Sequence, residues 1–542
     1  MINFPNSPTV NQEFTEAGKT WKWDGAVWNF VSISAITTEP WIRPAGWLPL
    51  PEVTETSELF CGLVAIGDHD SNTAWLEVAG DIIVDWGDGI TENLPAGLIS
   101  HTYNYSNSAL TNTYTALGYK QALITITPQL ANSLTYVSLQ SDAATTEVSW
   151  LDIVLAAPNL ESVQFGINYD DYSKYWNHPT LQSVKIVSTT LVNGVSVFQD
   201  LFGMRYLEFY CPAVTTLERF CQNCKSLSHV IITGTSNVVS VNNAFYNCEV
   251  LVVAPLIDTS NVTDFSYMFG DCTLLASVPM YDTSSGQDFS QMFAYCESLQ
   301  AIPPFNLSTA STVEGMFADC TVLRNVPAFD TANVTIFDRM FGWCHSIEKI
   351  PDLDTSSGTS FSSMFTSCWS LRNAPQLDTS LGIEFNQMFS NCKSLISIPA
   401  YNTSNGAEFG SVFSDCTALK QIPDWDFSGA TNLAFAFSNC SSIQQSPTLV
   451  LDTGVDLAGI FYSCINLSKL NVSNWPPPIY SYSYEYVVYN CRLSANSLNT
   501  LYTDLPTVSG GTYLLGVGEN YGINDLTHDP SIAVSKGWTV IY

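Results

Sequence analysis

The sequence predicts an α+β multidomain protein, most of it a solenoid, preceded by a small β-sandwich and a short N-terminal β module. Three observations carry the solenoid. Eleven cysteines recur at a 24-residue spacing from Cys224 to Cys464. A phenylalanine stands three residues before nearly every one (Phe245, Phe269 and on to Phe461), and a leucine or isoleucine three after (Leu227, Leu251 and on to Leu467). A proline falls seven after each cysteine from Pro255 to Pro447. One period with this many fixed columns means coils that each cover the apolar face of the next.

Composition bounds what such a chain can do. Its 542 residues exceed a single core, and 46% apolar content is enough to fold. Fifty carboxylates stand against 18 Lys and Arg, a formal net charge of −32, which argues against nucleic acid or an anionic membrane as partner. The start, Met1-Ile2-Asn3-Phe4-Pro5-Asn6, has no basic or apolar run, so no secretory signal is expected, and no 18-residue apolar stretch predicts a membrane span. Eleven of the 15 cysteines form one column, unlike the irregular spacing of a disulfide framework, so buried reduced thiols are expected. Cys221-x-x-Cys224 lacks a second pair and is a weak metal signal. No cofactor or metal is predicted.

Residues 1–30 read as a separate β module. Trp21-Lys22-Trp23-Asp24-Gly25-Ala26-Val27-Trp28 has the form of a tight hairpin turning at Asp24-Gly25. Trp21, Trp23 and Trp28 are either a stacking platform or, more simply, the core of a module too short to bury anything else. Residues 31–51, with four prolines and two tryptophans, read as an extended linker. Residues 52–145 carry the strand patterns of a sandwich, with Asp81–Asp85 running into the turn Trp86-Gly87-Asp88-Gly89. Asp85 and Asp88 are candidate calcium ligands, although satisfying turn amides is the simpler role. His101 has no nucleophile at a suggestive spacing and reads as structural.

The solenoid spans residues 146–490. Its first strands follow a leucine-rich pattern, LxxΦxΦ, as in Leu181-x-x-Val184-x-Ile186, and Leu467-x-x-Leu470-x-Val472 restores it at the far end. The middle coils insert a proline, LxxΦPxΦ, which cannot donate to a ladder and so belongs at a bulge or strand start. Phe-x-x-Met-Phe before each cysteine gives one apolar face of a short helical or 3₁₀ turn. Each 24-residue coil therefore pairs a short strand with a short helical turn. The column Asp258, Asp282, Asp330, Asp354 and Asp378, interrupted by Asn306, points outward. Thr-Ser after most of these suits turn capping, with cation binding or a ligand-facing stripe as the other readings.

Residues 491–542 read as a C-terminal cap, with a helix from Ser494 and later strands at Tyr513–Val517 and Trp538–Ile541. The longer gap from Cys464 to Cys491 holds three prolines and the tyrosines Tyr480, Tyr482, Tyr484, Tyr486 and Tyr489, a candidate binding stretch or the packing of the cap.

The coils, reading LxxIPxLDTSxxxxFxxMFxxC over about residues 225–465, closely resemble BspA-like leucine-rich repeats, whose members are largely surface-exposed and associated with adhesion. VDWGDG with the later HTY and ITIT resembles PKD-like sandwiches, which serve as spacers or adhesive modules. Residues 2–30 resemble an N-terminal segment of bacteriophage virion proteins, particularly tail-fibre-like ones. The resemblance implies attachment to other virion proteins through residues 1–30, a place on the particle surface, binding of a host-surface glycan or protein, and a possible homotrimer. No G-x-S-x-G, P-loop or H-E-x-x-H motif points to an enzyme. A structural virion component and a bacterial surface adhesin are the other readings.

Overall fold

A computed structural model describes residues 41–69, 72–113, 115–139, 148–166, 178–422, 424–479, 484–509 and 513–542, and the backbone of three strands nearer the N-terminus. The chain divides into two compact units, Ala35–Asp288 and Phe289–Tyr542, the latter grouped with Met1–Ser34. The N-terminal strands β1 (Glu13–Glu16), β2 (Lys19–Trp23) and β3 (Trp28–Ile33) form an antiparallel sheet in which Trp23 pairs with Trp28. Asp24-Gly25 and the side chains of Trp21, Trp23 and Trp28 lie outside the described residues.

The first unit opens as a β-sandwich. Its strands are β4 (Leu59–Ile66), β5 (Asn72–Val78), β6 (Ile82–Asp85), β7 (Thr91–Leu94), β8 (Gly97–Tyr103), β9 (Lys120–Pro128), β10 (Tyr136–Ser138), β11 (Ser149–Ala156) and β12 (Ser162–Gln164). β5 alternates buried and half-buried positions and β6 buried and exposed ones, the two-residue period of strands with one dry face. Phe60 packs edge-on against Trp150 and Phe165 in that core. Three parallel strands, β13 (Ser183–Val187), β14 (Tyr206–Tyr210) and β15 (His229–Thr233), begin the solenoid. β11 pairs antiparallel with β4 and parallel with β13, so one eight-stranded sheet runs from sandwich into coils. Residues ahead of β4 dock on that sheet. Arg43 reaches the buried Asp152 of β11 at 2.6 Å and the carbonyls of Trp47 and Leu48, while Trp41 stacks on Tyr206.

Past β15 the strands shrink to single bridges such as Val253↔Ser277, where the prolines begin. The second unit behaves alike, with Asn325↔Lys349 and Asn373↔Ser397 on the proline side and Thr312↔Ile336↔Ser360↔Glu384↔Glu408↔Asn432↔Asp456 on the other. A ladder needs donors, and proline has none. Strands return at β16 (Gln445–Val450) and β17 (Lys469–Ser473), and Pro447 sits within a register shift between Gln445 and Thr448.

The Phe-x-x-Met-Phe side is a chain of single turns. In the coil around Cys368, the amides of Phe361, Ser363, Phe365 and Ser367 donate to the next coil, at Glu384, Asn386, Met388 and Ser390. The amides between them, of Met364, Thr366 and Cys368, close 3₁₀-type bonds within the coil. Ser363 and Ser367 both hold φ +57°, so no turn propagates into a helix. The rings stack in file, Phe341 on Phe365 at 6.0 Å and Phe365 on Phe389 at 5.3 Å.

The C-terminal residues fold as short helices and strands. Helix α1 (Ala495–Asp504) starts at Ser494, whose hydroxyl accepts from the Ser497 amide. Strand β18 (Tyr513–Gly516), the short helix α2 (Ser531–Val534) and strand β19 (Trp538–Ile541) follow, with β18 and β19 parallel and Gly537 at φ +92° between α2 and β19.

Candidate functional site

All fifteen cysteines are buried and free. They do more than fill space, because thiols along the column donate to a carbonyl of the preceding coil, as Cys368 does to Phe341 at 3.2 Å and Cys392 to Phe365 at 3.0 Å. Burial pushes the Cys392 and Cys440 thiols up to about 12, which leaves them protonated and unreactive at neutral pH. Among the described residues no group of three or more His, Cys, Asp or Glu is placed to hold a metal ion.

The aspartate column is exposed, and its carboxylates are engaged locally. Asp258, Asp282, Asp354 and Asp378 each accept from the amide two residues on, Ser260, Ser284, Ser356 and Ser380, at 2.9–3.1 Å. The Ala332 amide lies 3.4 Å from Asp330. Hydrogen bonds from the serine side chain and amide hold Asp282, Asp354 and Asp378 below the usual carboxylate range. The threonine that follows is buried and spans coils, Thr355 donating to the Asp378 carbonyl and Thr379 to that of Asn402, each at 2.7 Å. These positions close turns and tie coils together.

In the sandwich, Asp85 accepts from the Gly87 amide at 2.9 Å and Asp88 from the Ile90 amide at 3.2 Å. The other oxygen of Asp88 meets His101 Nε2 at 2.9 Å, and the His101 ring stacks on Trp86 at 4.9 Å. His101 of β8 thus ties its strand to that turn.

Tyr480 and Tyr482 lie outside the described residues. Tyr484 is 1% exposed, donates to the Pro476 carbonyl and packs on Trp538, so its ring presents no face to a ligand. Tyr486 is 40% exposed and joins Tyr489 of the same stretch and Tyr462, which sequence reasoning did not single out. Tyr462 stacks on Tyr489 at 5.8 Å, and Tyr486 stands edge-on to both. Glu485 and Glu519, hydrogen-bonded to Tyr486 and Tyr489, hold both phenols above the ordinary tyrosine range. The stretch is in fact a coil. Tyr486 and Asn490 take the left-handed conformation of the two recurrent turn positions, and Cys491 donates to the Phe461 carbonyl as the other cysteines do. Three inserted residues, 27 between Cys464 and Cys491 against the usual 24, hid that register. On the coils before it Phe435 is exposed, and its ring lies where any side chain at Gly459 would stand, 2.4 Å from the Cβ position.

A second surface also escaped the column reading. In the second unit the two residues after each lead leucine or isoleucine are exposed, and they include Arg324, Lys349, Arg372, Lys420 and Lys469. Lys349 and Arg372 line one groove of about 580 Å³, and Lys420 and Lys469 another of about 690 Å³.

A family model described as "Mycoplasma protein of unknown function, DUF285" matches residues 215–326, 300–397 and 348–450, all within the coils. The array is a leucine-rich-repeat solenoid. No curated protein matches the chain. Among solved structures, it aligns with a plant peptide hormone receptor, RGFR1 in complex with RGF2, at 13% identity over 68% of this chain and 64% of that one, with a TM-score of 0.22. The mouse RP105/MD-1 complex aligns at 13% identity over 71% and 67%, TM-score 0.20. The Toll–Spatzle complex of Drosophila aligns at 12% identity over 77% and 70%, TM-score 0.19. The chain therefore spans less than two thirds of the plant receptor, and scores this low carry no argument about its partners. Among the described residues no helix is long and apolar enough to cross a membrane.

Proposed function

We propose that the protein is a non-enzymatic binding protein of a bacteriophage particle, of the tail-fibre or adhesin type. In this reading residues 1–30 attach it to other virion proteins, the PKD-like sandwich acts as a spacer, and the leucine-rich-repeat solenoid binds a host-surface glycan or protein. The observation that carries the binding role is the tyrosine cluster on the last coils, in which Tyr486 is exposed and Tyr462 and Tyr489 are half-buried. Rigid aromatic rings beside carboxylates supply stacking area and hydrogen bonding at little conformational cost. The place on a virion rests on the resemblance of residues 2–30 alone.

Purified full-length protein should compete with particles that carry it for adsorption to host cells, and a Tyr486→Ala, Tyr489→Ala variant should compete at least about tenfold less well. Undiminished adsorption at saturating wild-type protein would sink the receptor-binding role. Antibody labelling that places the protein on the capsid would favour a decoration role over an adhesin.

A further inference from the structure

The second unit sorts its charges by column. Between Phe289 and Leu470 it has seven Lys and Arg, and five of them (Arg324, Lys349, Arg372, Lys420, Lys469) fall in the two positions after a lead leucine or isoleucine. Of the acidic residues in that span only Glu348 does so. The two basic residues elsewhere are engaged, Arg339 with Glu314 at 2.6 Å and Lys393 over the Trp369 ring at 5.1 Å. Lys349, Arg372, Lys420 and Lys469 are exposed and, among the described residues, make no ion pair. Four cations left without a counter-ion in a chain with 50 carboxylates make a surface ready for an external anion.

The lining narrows the kind of anion. Between the cations the grooves present amides, Asn373 and Gln376 in one, where Glu348 and Asp352 also line the wall, and Gln421, Gln444, Gln445 and Asn466 in the other, which no carboxylate lines. Apolar anchors of the sort that centre a protein–protein interface are few there, whereas amides in file suit a row of hydroxyls. Arg372, Lys420 and Lys469 recur every second coil, about 10 Å apart at the spacing of stacked strands. An extended polysaccharide advances by about two sugars over that distance.

We propose that this face binds a linear acidic polysaccharide, with carboxylates taken by Lys349, Arg372, Lys420 and Lys469 and hydroxyls by the flanking amides. The proposal rests on the reading of the solenoid as a binding surface and adds a ligand class and a second site, apart from the tyrosine cluster.

The test is calorimetric titration of the full chain with hyaluronan oligosaccharides, which carry one carboxylate per disaccharide. Binding is expected at low ionic strength and should weaken as salt screens the cations. An Arg372→Gln, Lys420→Gln, Lys469→Gln variant should lose affinity by about tenfold or more, while Arg339→Gln should bind as wild type does. Failure to bind either hyaluronan or polygalacturonate would overturn the proposal, as would an equal loss in Arg339→Gln. Tighter binding of a single-stranded oligonucleotide of equal charge, or self-association abolished by the triple variant, would overturn it in favour of those partners. Retained competition for adsorption by a wild-type protein that binds neither acidic glycan would leave the general binding role standing while this assignment falls.

Discussion

His178 shows what a single buried side chain contributes. It is 4% exposed, with Nε2 3.2 Å from the Leu139 carbonyl, and burial pushes its pKa down from 6.5 to about 4. Between those values the unfolded chain binds a proton that the folded chain refuses. The stability that depends on neutral His178 is therefore fully present above pH 6.5 and declines as pH falls toward 4. The loss approaches about 3 kcal/mol below the folded-state value. His345, stacked on Trp369 at 3.7 Å, is pushed down in the same way by burial and by Lys393, and steepens the same limb. Urea unfolding at pH 7.5 and 4.5 should show wild type losing more stability on acidification than His178→Asn. Equal losses in the two proteins would show that His178 stays protonated in the fold.

At the scale of the element, the turn segment explains both what the sequence revealed and what it concealed. The cysteine, phenylalanine and leucine columns are legible because each is a buried position repeated at fixed spacing, and the proline column because a missing donor breaks a ladder. The first left-handed position of each coil was not legible, since Ser363, Gln387 and Phe435 share a backbone conformation and no side-chain chemistry, whereas the second, before the cysteine, is mostly Asn or Asp, as at Asn391, Asp415 and Asn439. Nor was the coil at Tyr484–Cys491, because Tyr484, Val487 and Val488 stand where other coils carry Phe, Met and Phe. The cationic face lay in the sequence too, but spread over two neighbouring columns with neutral residues between the charges. The tyrosine cluster joins Tyr462 of one coil to Tyr486 and Tyr489 of the next, which only coil stacking brings together. The turn itself is testable. Ser363→Val places a β-branched residue at φ +57° and should cost about 1–3 kcal/mol, whereas Ser363→Gly should be tolerated. Equal destabilisation by both would point to the lost hydroxyl instead of the backbone.

At the scale of the whole molecule, sheet and coils divide the work of holding the chain. In the sandwich, antiparallel strands such as β4 and β9 are zipped along seven residue pairs from Phe60↔Ile126 to Ile66↔Lys120. In the coils, alternate turn amides point to the next coil, so each coil is bound mainly to its neighbours and stability is local and additive along the array. Those bonds are also loaded in series. Pulled from the C-terminal end, coils of the second unit should peel one at a time at low force, each releasing 24 residues or about 80 Å of extended chain. Force spectroscopy should record that as evenly spaced steps, and a single large rupture would show the coils failing together. Repeated small failures that re-form as tension drops would let an attached solenoid lengthen under shear and recover, dissipating load before its hold on a surface is lost.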